Sequence, residues 1–323
     1  MKRKRLGALP RALIAAVGAT VAFATTARLV TRSTRKTERA HPATGQFVVV
    51  QGVRLHYIER GSGNPIVLLH GNGVTAQDWA VSGIIDGLAT DHRVIAFDRP
   101  GFGYSERPRN VAWTTAQQAE LIYMALKKLE ITRPTLVAHS WGTLVALALA
   151  LNYSTDVTRV VLLAGYYFSS LRLDAPLAAA PGIPLIGDML SHTIAPIFGR
   201  LLAPLVVRQL FAPAPVPRRF KNFPLSISLR PSQLRSSALE AQLMAASAKS
   251  LESRYGELMM PVSIIAGSGD LIVNPLAQSN RLAQLVLGHD AHLISGAGHM
   301  VHYFSPELVL QAAKGDEASP ASV

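Results

Sequence analysis

From Phe47 onward the chain is punctuated by short apolar runs rich in Val, Ile and Leu, most of them separated by segments of helix length. The first two, FVVVQG and VRLHYIERG, read as strand, turn, strand and close at Gly61-Ser62-Gly63. Then come PIVLLHG at 65, HRVIAFD at 92, PTLVAHS at 134, TRVVLLAG at 158, PVSIIAG at 261 and HDAHLISG at 289. These runs lack polar alternation, as strands buried on both faces do. Helical patterns are legible at 115–130, 143–152, 276–287 and 306–313. Strands and helices alternating in this way predict an α/β fold with a mainly parallel central sheet and helices on both faces. At 323 residues the chain can bury a large core without staples. The absence of cysteine excludes disulfides, thiolate metal sites and cysteine nucleophiles.

One region breaks the alternation. Residues 171–254 are helical in character, contain no strand run and carry ten prolines between Pro176 and Pro231, which break helices into short pieces. They are expected to form an inserted helical cap between a first core part, 45–170, and a second, 255–313. The tail, 314–323, is expected to be disordered.

The formal charge of +12 sits at one end. Residues 1–39 hold ten Lys or Arg against Glu38 alone, leaving the other 284 residues a net charge of only +3. A body so near neutrality offers no basic stripe for phosphates, which argues against a nucleic-acid partner. Between Arg11 and Arg28 lies an uncharged run of 16 residues, ALIAAVGATVAFATTA, close to the lower limit of about 17 for a spanning helix. Three readings stay open: an uncleaved membrane anchor, a secretory signal with Ala22-Phe23-Ala24 as its cleavage site, or an incidental tail. The basic residues from Arg28 onward disfavour translocation after such a cut, and the two basic flanks select no orientation. The first two readings place the protein at a membrane or outside the cytoplasm and are favoured over a cytoplasmic location; in all three, residues 1–44 lie outside the fold.

The chemistry is concentrated where strand PTLVAHS runs directly into the helical WGTLVALALALN, with Ser140 at the junction. A strand-turn-helix of this kind projects a strained serine from the sheet edge, and small residues two positions either side, here Ala138 and Gly142, let strand and helix approach. The bland alternative is a serine that caps the helix. Asp270 follows strand PVSIIAG and His299 follows strand HDAHLISG, so both stand beyond the carboxyl ends of parallel strands, where active groups of open α/β sheets gather. His299 is the candidate base for Ser140, and Asp270 the acid that orients it. Asp290 is a poor substitute because it precedes its strand. The histidines lack paired ligand spacing, so no metal site and no cofactor are expected.

The motifs AHSWG at 138–142, HGNG at 70–73, DRPGFGYSERP at 98–108, GSGD at 267–270 and GAGHMVH at 296–302 together resemble the α/β-hydrolase superfamily over about residues 46–313. The resemblance is to its capped branch, which includes epoxide hydrolases, haloalkane dehalogenases, haloperoxidases, carbon-carbon bond hydrolases and many esterases. Ala138 departs from the G-x-S-x-G pattern while keeping a small residue. Ser140 stands where epoxide hydrolases and dehalogenases carry Asp, which argues against an aspartyl-ester mechanism. The resemblance implies an oxyanion hole made by the backbone N–H groups of Trp141 and Asn72, the latter carried over from the family.

The expected activity is cofactor-free hydrolysis of an ester, thioester or lactone with an apolar acyl part, through an acyl-serine intermediate. Carbon-carbon bond hydrolysis with the same triad is the alternative, and a non-catalytic binding protein on the same fold is a third reading. His139, Tyr166 and His302 are expected to wall the substrate pocket or stand behind the triad, and Asp98 and Arg99 to tie down a loop under it. The apolar stretch IPLIGDMLSHTIAPIFGRLLAPLVVRQLF can line an acyl pocket, dock on lipid or simply pack the cap on the core.

Overall fold

The computed structural model describes residues 8–170, 186–288 and 291–315. Eight strands form one sheet: β1 Gln46–Val50, β2 Val53–Arg60, β3 Asn64–Leu69, β4 His92–Phe97, β5 Thr135–His139, β6 Arg159–Leu163, β7 Val262–Gly267 and β8 His292–Ile294. Their order is β1-β2-β4-β3-β5-β6-β7-β8. The pairings of β1 with β2 and of β2 with β4 are antiparallel. All the others are parallel.

Helix α1, Ala8–Ala40, precedes the sheet. Helices α2 Gln77–Val81 and α3 Ile84–Leu88 follow β3, α4 Thr115–Lys128 follows β4, and α5 Trp141–Asn152 follows β5. Between β6 and β7 lie α6 Ile186–His192, α7 Ile194–Phe211, α8 Leu225–Ser228 and α9 Pro231–Leu251, with no strand among the described residues there. A π-helical turn, Leu276–Asn280, leads into α10 Arg281–Leu287, and α11 Pro306–Lys314 closes the fold. The start of the expected insert, 171–185, and residues 289–290 and 316–323 lie outside the described residues, and with them Asp290 and most of the expected tail.

Local chemistry accounts for these boundaries. Gln51 and Gly52 both take positive φ, 50° and 77°, the tight turn that suits a two-residue hairpin between β1 and β2. A reciprocal Thr114–Gln117 capping box starts α4. Residues 141–151 of α5 are buried on every side, as a helix apolar all round must be.

Side chains alternate across the sheet. Val67, Leu69, Ile95, Phe97 and Leu136 pack on the side of α4 and α5. Ile66, Leu68, Val94, Ala96 and Val137 pack on the other, with residues of α2, α3 and α11. Burying each of these Val, Leu, Ile and Phe side chains stabilises the fold by about 1.5–3 kcal/mol. The chain passes from β3 to β4 on one side and then crosses to β5 on the other, so the strand order reverses between β3 and β5. The crevice at the carboxyl ends of those two strands is where this architecture places ligands.

The expectation that residues 1–44 lie outside the fold needs correction. Residues 13–25 are exposed and unpacked, but Val30 and Thr37 are buried against the insert. Arg200 donates to Ser33 Oγ at 2.5 Å, and Arg230 pairs with Glu38 at 2.8 Å. The reason is helical phase: Arg28, Arg32, Arg35 and Arg39 share one face of α1, which turns Val30 and Thr37 to the opposite side. The basic cluster that reads as a tail in sequence is thus the solvent side of a docked helix. By length and composition α1 and α7 are both apolar enough to cross a membrane.

Candidate active site

Ser140 follows β5 directly and takes φ 52° and ψ −122°, a conformation that costs a non-glycine residue about 1–3 kcal/mol. The turn is pinned on both sides: Ser140 N–H donates to the Leu163 carbonyl at 2.9 Å, and Thr143 N–H to the Ser140 carbonyl at 3.0 Å. A Cβ on Gly142 would lie 2.4 Å from the Leu69 carbonyl oxygen and 2.6 Å from that of His70, so this position requires glycine. Ala138 has its methyl fully buried, so the other small position has room for one carbon.

His299 sits in the loop after β8 and Asp270 in the loop after β7. A Cβ on Gly267 would meet the carbonyl oxygens of Ala297 and Gly298 at 2.3 Å, so its absence lets these two loops touch. The result is a continuous hydrogen-bonded set. Ser140 Oγ lies 2.9 Å from His299 Nε2, and His299 Nδ1 lies 2.7 Å from Asp270 Oδ2. A carboxylate only accepts, which places the imidazole proton on Nδ1 and leaves Nε2 to accept from the serine hydroxyl. Asp270 Oδ1 accepts from the N–H groups of Ile272 at 2.7 Å and Val273 at 3.0 Å, so the carboxylate is fixed before it meets the ring.

The loop His70-Gly71-Asn72 after β3 lies against this turn: a Cβ on Gly71 would sit 3.0 Å from Ser140 Cβ. The Gly71 carbonyl accepts from His70 Nδ1 at 2.7 Å and from Arg99 Nη2 at 3.0 Å. In a trans peptide the carbonyl and the following N–H point in opposite directions. The Asn72 N–H is therefore turned away from the guanidinium. Asn72 Nδ2 donates to the Ser237 carbonyl of α9 at 3.0 Å. The Trp141 N–H opens α5 and so has no acceptor within the helix.

Arg99 organises that loop more fully than the sequence indicates. Its Nε donates to the His70 carbonyl at 2.7 Å, its Nη1 to Gln118 at 3.0 Å, and its two Nη groups meet both oxygens of Glu240 at 2.5 and 3.0 Å. Burial, and then the Arg99 charge, push the His70 pKa down to about 3. Neutral His70 donates from Nδ1 and accepts the Arg99 N–H on Nε2 at 3.0 Å. Asp98, expected with Arg99 to secure a loop, accepts from Ala76 N–H at 2.8 Å and Tyr104 N–H at 2.9 Å and lies 2.6 Å from His56 Nδ1. Glu240, the lone acid of α9, belongs to no motif. Its only signal is a single carboxylate in a helix otherwise rich in Ala, Ser and Leu.

His139, His302 and Tyr166 are all buried, His302 completely. His139 Nε2 lies 3.1 Å from the His299 carbonyl. Its ring packs 4.9 Å from that of His299 and 4.8 Å from that of His302. Burial, with His302 and His299 as neighbours, holds its pKa well below the usual histidine value. His302 Nε2 lies 2.9 Å from Asp78 Oδ2, and the Tyr303 hydroxyl donates to Asp78 Oδ1 at 2.8 Å. Ligand atoms of Asp78, His139 and His302 fall within 4.8 Å of one another, a grouping of metal-binding types that sequence spacing hides. The short bonds from Asp78 to His302 and Tyr303 already occupy its oxygens. Tyr166 binds through its hydroxyl to Ser170, whose N–H donates to it at 2.7 Å.

A family model described as alpha/beta hydrolase fold matches residues 64–306. The 2-hydroxy-6-oxo-2,4-heptadienoate hydrolase of Pseudomonas putida is 28% identical over 261 residues, covering 80% of this chain and 90% of that protein. Among solved structures, the enol-lactonase from Burkholderia xenovorans LB400 superposes with a TM-score of 0.67 at 22% identity, over 84% of this chain and 98% of the other. A membrane phospholipase A superposes with a TM-score of 0.62 at 20% identity, over 95% and 96% of the two chains. That wider span reaches into α1. A family model covering most of the chain, on this sheet order and with this serine turn, settles its kinship: the chain belongs to the alpha/beta hydrolase fold family.

Proposed function

We propose that the protein is a serine hydrolase that cleaves an ester, thioester or lactone with an apolar acyl part through an acyl-Ser140 intermediate. The observation that carries this reading is the unbroken line of hydrogen bonds from Ser140 Oγ through His299 to Asp270. His299 Nε2 takes the hydroxyl proton as Oγ attacks the carbonyl carbon, and Asp270 stabilises the resulting imidazolium. The oxyanion that forms is held by the N–H groups of Asn72 and Trp141. His299 then returns its proton to the departing oxygen or sulfur. A water, deprotonated by the same ring, releases the acid and restores Ser140. His139, Tyr166 and His302 act as support: His139 steadies the His299 backbone, and Asp78 holds His302 behind it.

The test is labelling of folded protein with a fluorophosphonate, followed by a panel of esters of graded acyl length. Labelling at Ser140 and turnover that vanishes in Ser140→Ala are expected. Unchanged activity in that variant overturns the reading. The relation to the Pseudomonas putida hydrolase supports a second reading, carbon-carbon bond hydrolysis with the same triad. Fast turnover of a vinylogous diketone beside weak ester cleavage decides for it.

We further read α1 as a membrane anchor. Residues 12–27 are uncharged, residues 13–25 are exposed along their whole length, and basic residues flank the run. Full-length protein is expected in the membrane fraction, resistant to salt extraction.

A further inference from the structure

Helix α7 is apolar on two sides. Its inner side buries Pro196, Ala203 and Phe211 against the body of the protein. Its outer side presents Ile194, Ile197, Phe198, Leu201, Leu202, Leu205 and Val206, each between 47% and 73% exposed. Their spacing alternates between three and one, so they share one face along about 18 Å of helix. The helix contains no acidic residue, and its exposed charges are Arg200 and Arg208. Among the described residues, only Ile197 of this face has a neighbouring helix opposite it, and an exposed apolar face of this extent marks a contact surface.

The position of α7 against α1 identifies the partner. Ile197 and Arg200 of α7 meet Leu29, Val30 and Ser33 of α1 across a cleft of about 270 Å³. That meeting point falls one turn beyond the end of the uncharged run at Ala27. In a helix whose preceding residues enter a bilayer, this is the level of the lipid headgroups. The charges nearest that level are Arg28, Arg32 and Arg200, and Arg208 is the other cation of α7. The neighbouring acids Glu38 and Asp188 are already paired, with Arg230 and with Arg109. A second copy of the chain would bring the same cations against them. An anionic bilayer neutralises them instead.

We infer that the outer face of α7 is a second membrane contact, lying at the boundary between headgroups and acyl chains of the same anionic bilayer that α1 enters. The inference rests on the reading of α1 as an anchor and not on the identity of the substrate.

The chain has no cysteine, so single labels can be placed cleanly. Leu201→Cys, and as control Met259→Cys, are introduced into the full-length protein, labelled with an environment-sensitive fluorophore and reconstituted into phosphatidylethanolamine–phosphatidylglycerol vesicles. Met259 is 83% exposed and stands just before β7, at the opposite edge of the sheet from the serine turn. Doxyl-labelled lipid should quench the Leu201 label at least threefold more than the Met259 label. The Leu201→Glu/Leu205→Glu background should reduce quenching at a third label, Phe198→Cys, while the protein still pellets with vesicles. Protein that pellets with an unquenched Leu201 label overturns the inference and spares the anchor; so does energy transfer between copies at Leu201 without lipid quenching. Protein that fails to pellet overturns both.

Discussion

Arg99 and Glu240 form a two-pronged ion pair, 2.5 and 3.0 Å, in which neither side chain touches solvent. The arginine comes from the loop after β4 and the glutamate from α9 in the insert, and because the same guanidinium holds the His70 and Gly71 carbonyls, the pair ties the insert to the loop that carries Asn72. Truncating one partner leaves the other charge buried and uncompensated. Glu240→Ala should therefore lower unfolding free energy by about 3–5 kcal/mol in denaturant titrations. Arg99→Lys keeps a charge but loses the planar fork that holds Gly71. Its kcat should fall on the order of 10²-fold with KM little changed, as for loss of an oxyanion donor.

Asp270→Asn should lower kcat by on the order of 10⁴-fold while leaving the fold intact. The amide oxygen can still accept from Ile272 and Val273. Its NH₂ then faces His299 Nδ1, which forces the proton onto Nε2, where it donates to Ser140 Oγ and leaves no base for the hydroxyl proton. Steady-state kinetics beside an unchanged circular dichroism spectrum check this.

The two small positions around Ser140 should respond differently. Gly142→Ala places a methyl carbon 2.4 Å from the Leu69 carbonyl oxygen, and should abolish activity or soluble expression. Ala138→Gly only adds backbone freedom in a strand, so it should retain activity and lose about 0.5–1 kcal/mol of stability.

Acid should destabilise the protein through histidines as well as carboxylates. His70 and His139 are held neutral in the fold, His70 with a pKa of about 3, whereas in the unfolded chain each titrates near 6.5. Below pH 6.5 the unfolded state binds more protons, so stability falls with falling pH. The contribution is complete above about pH 6.5 and is lost as pH drops toward the folded values, by up to about 1.4 kcal/mol per pH unit for each ring. Unfolding free energies between pH 7.5 and 5 should show this slope, and His139→Asn should lessen it.

Most of the sheet was legible in the sequence because strands buried on both faces leave unbroken apolar runs, and each of the eight runs became a strand. The meeting of Ser140, Asp270 and His299 was legible for a related reason: a parallel strand fixes where the next residue emerges, so the three had to gather at one edge. Arg99 and Glu240 were not legible as a pair, since 141 residues separate them and no periodicity links a loop cation to a helix acid. The docking of α1 was hidden differently. Its arginines dominate composition, while the two residues that pack, Val30 and Thr37, are unremarkable until helical phase sets them opposite the charges.

Helix α1 continues for 33 residues without a break, and its last third is clamped to the insert. A glycine- or serine-rich tether would let an attached domain tumble. A continuous helix transmits torque and tilt instead. Whatever holds the first turns of α1 also fixes the height and heading of the Ser140 crevice. From Arg28 to Ala40 the helix rises only about 18 Å, so the sheet that begins at Gln46 is kept near that attachment rather than left to sweep the surrounding solution.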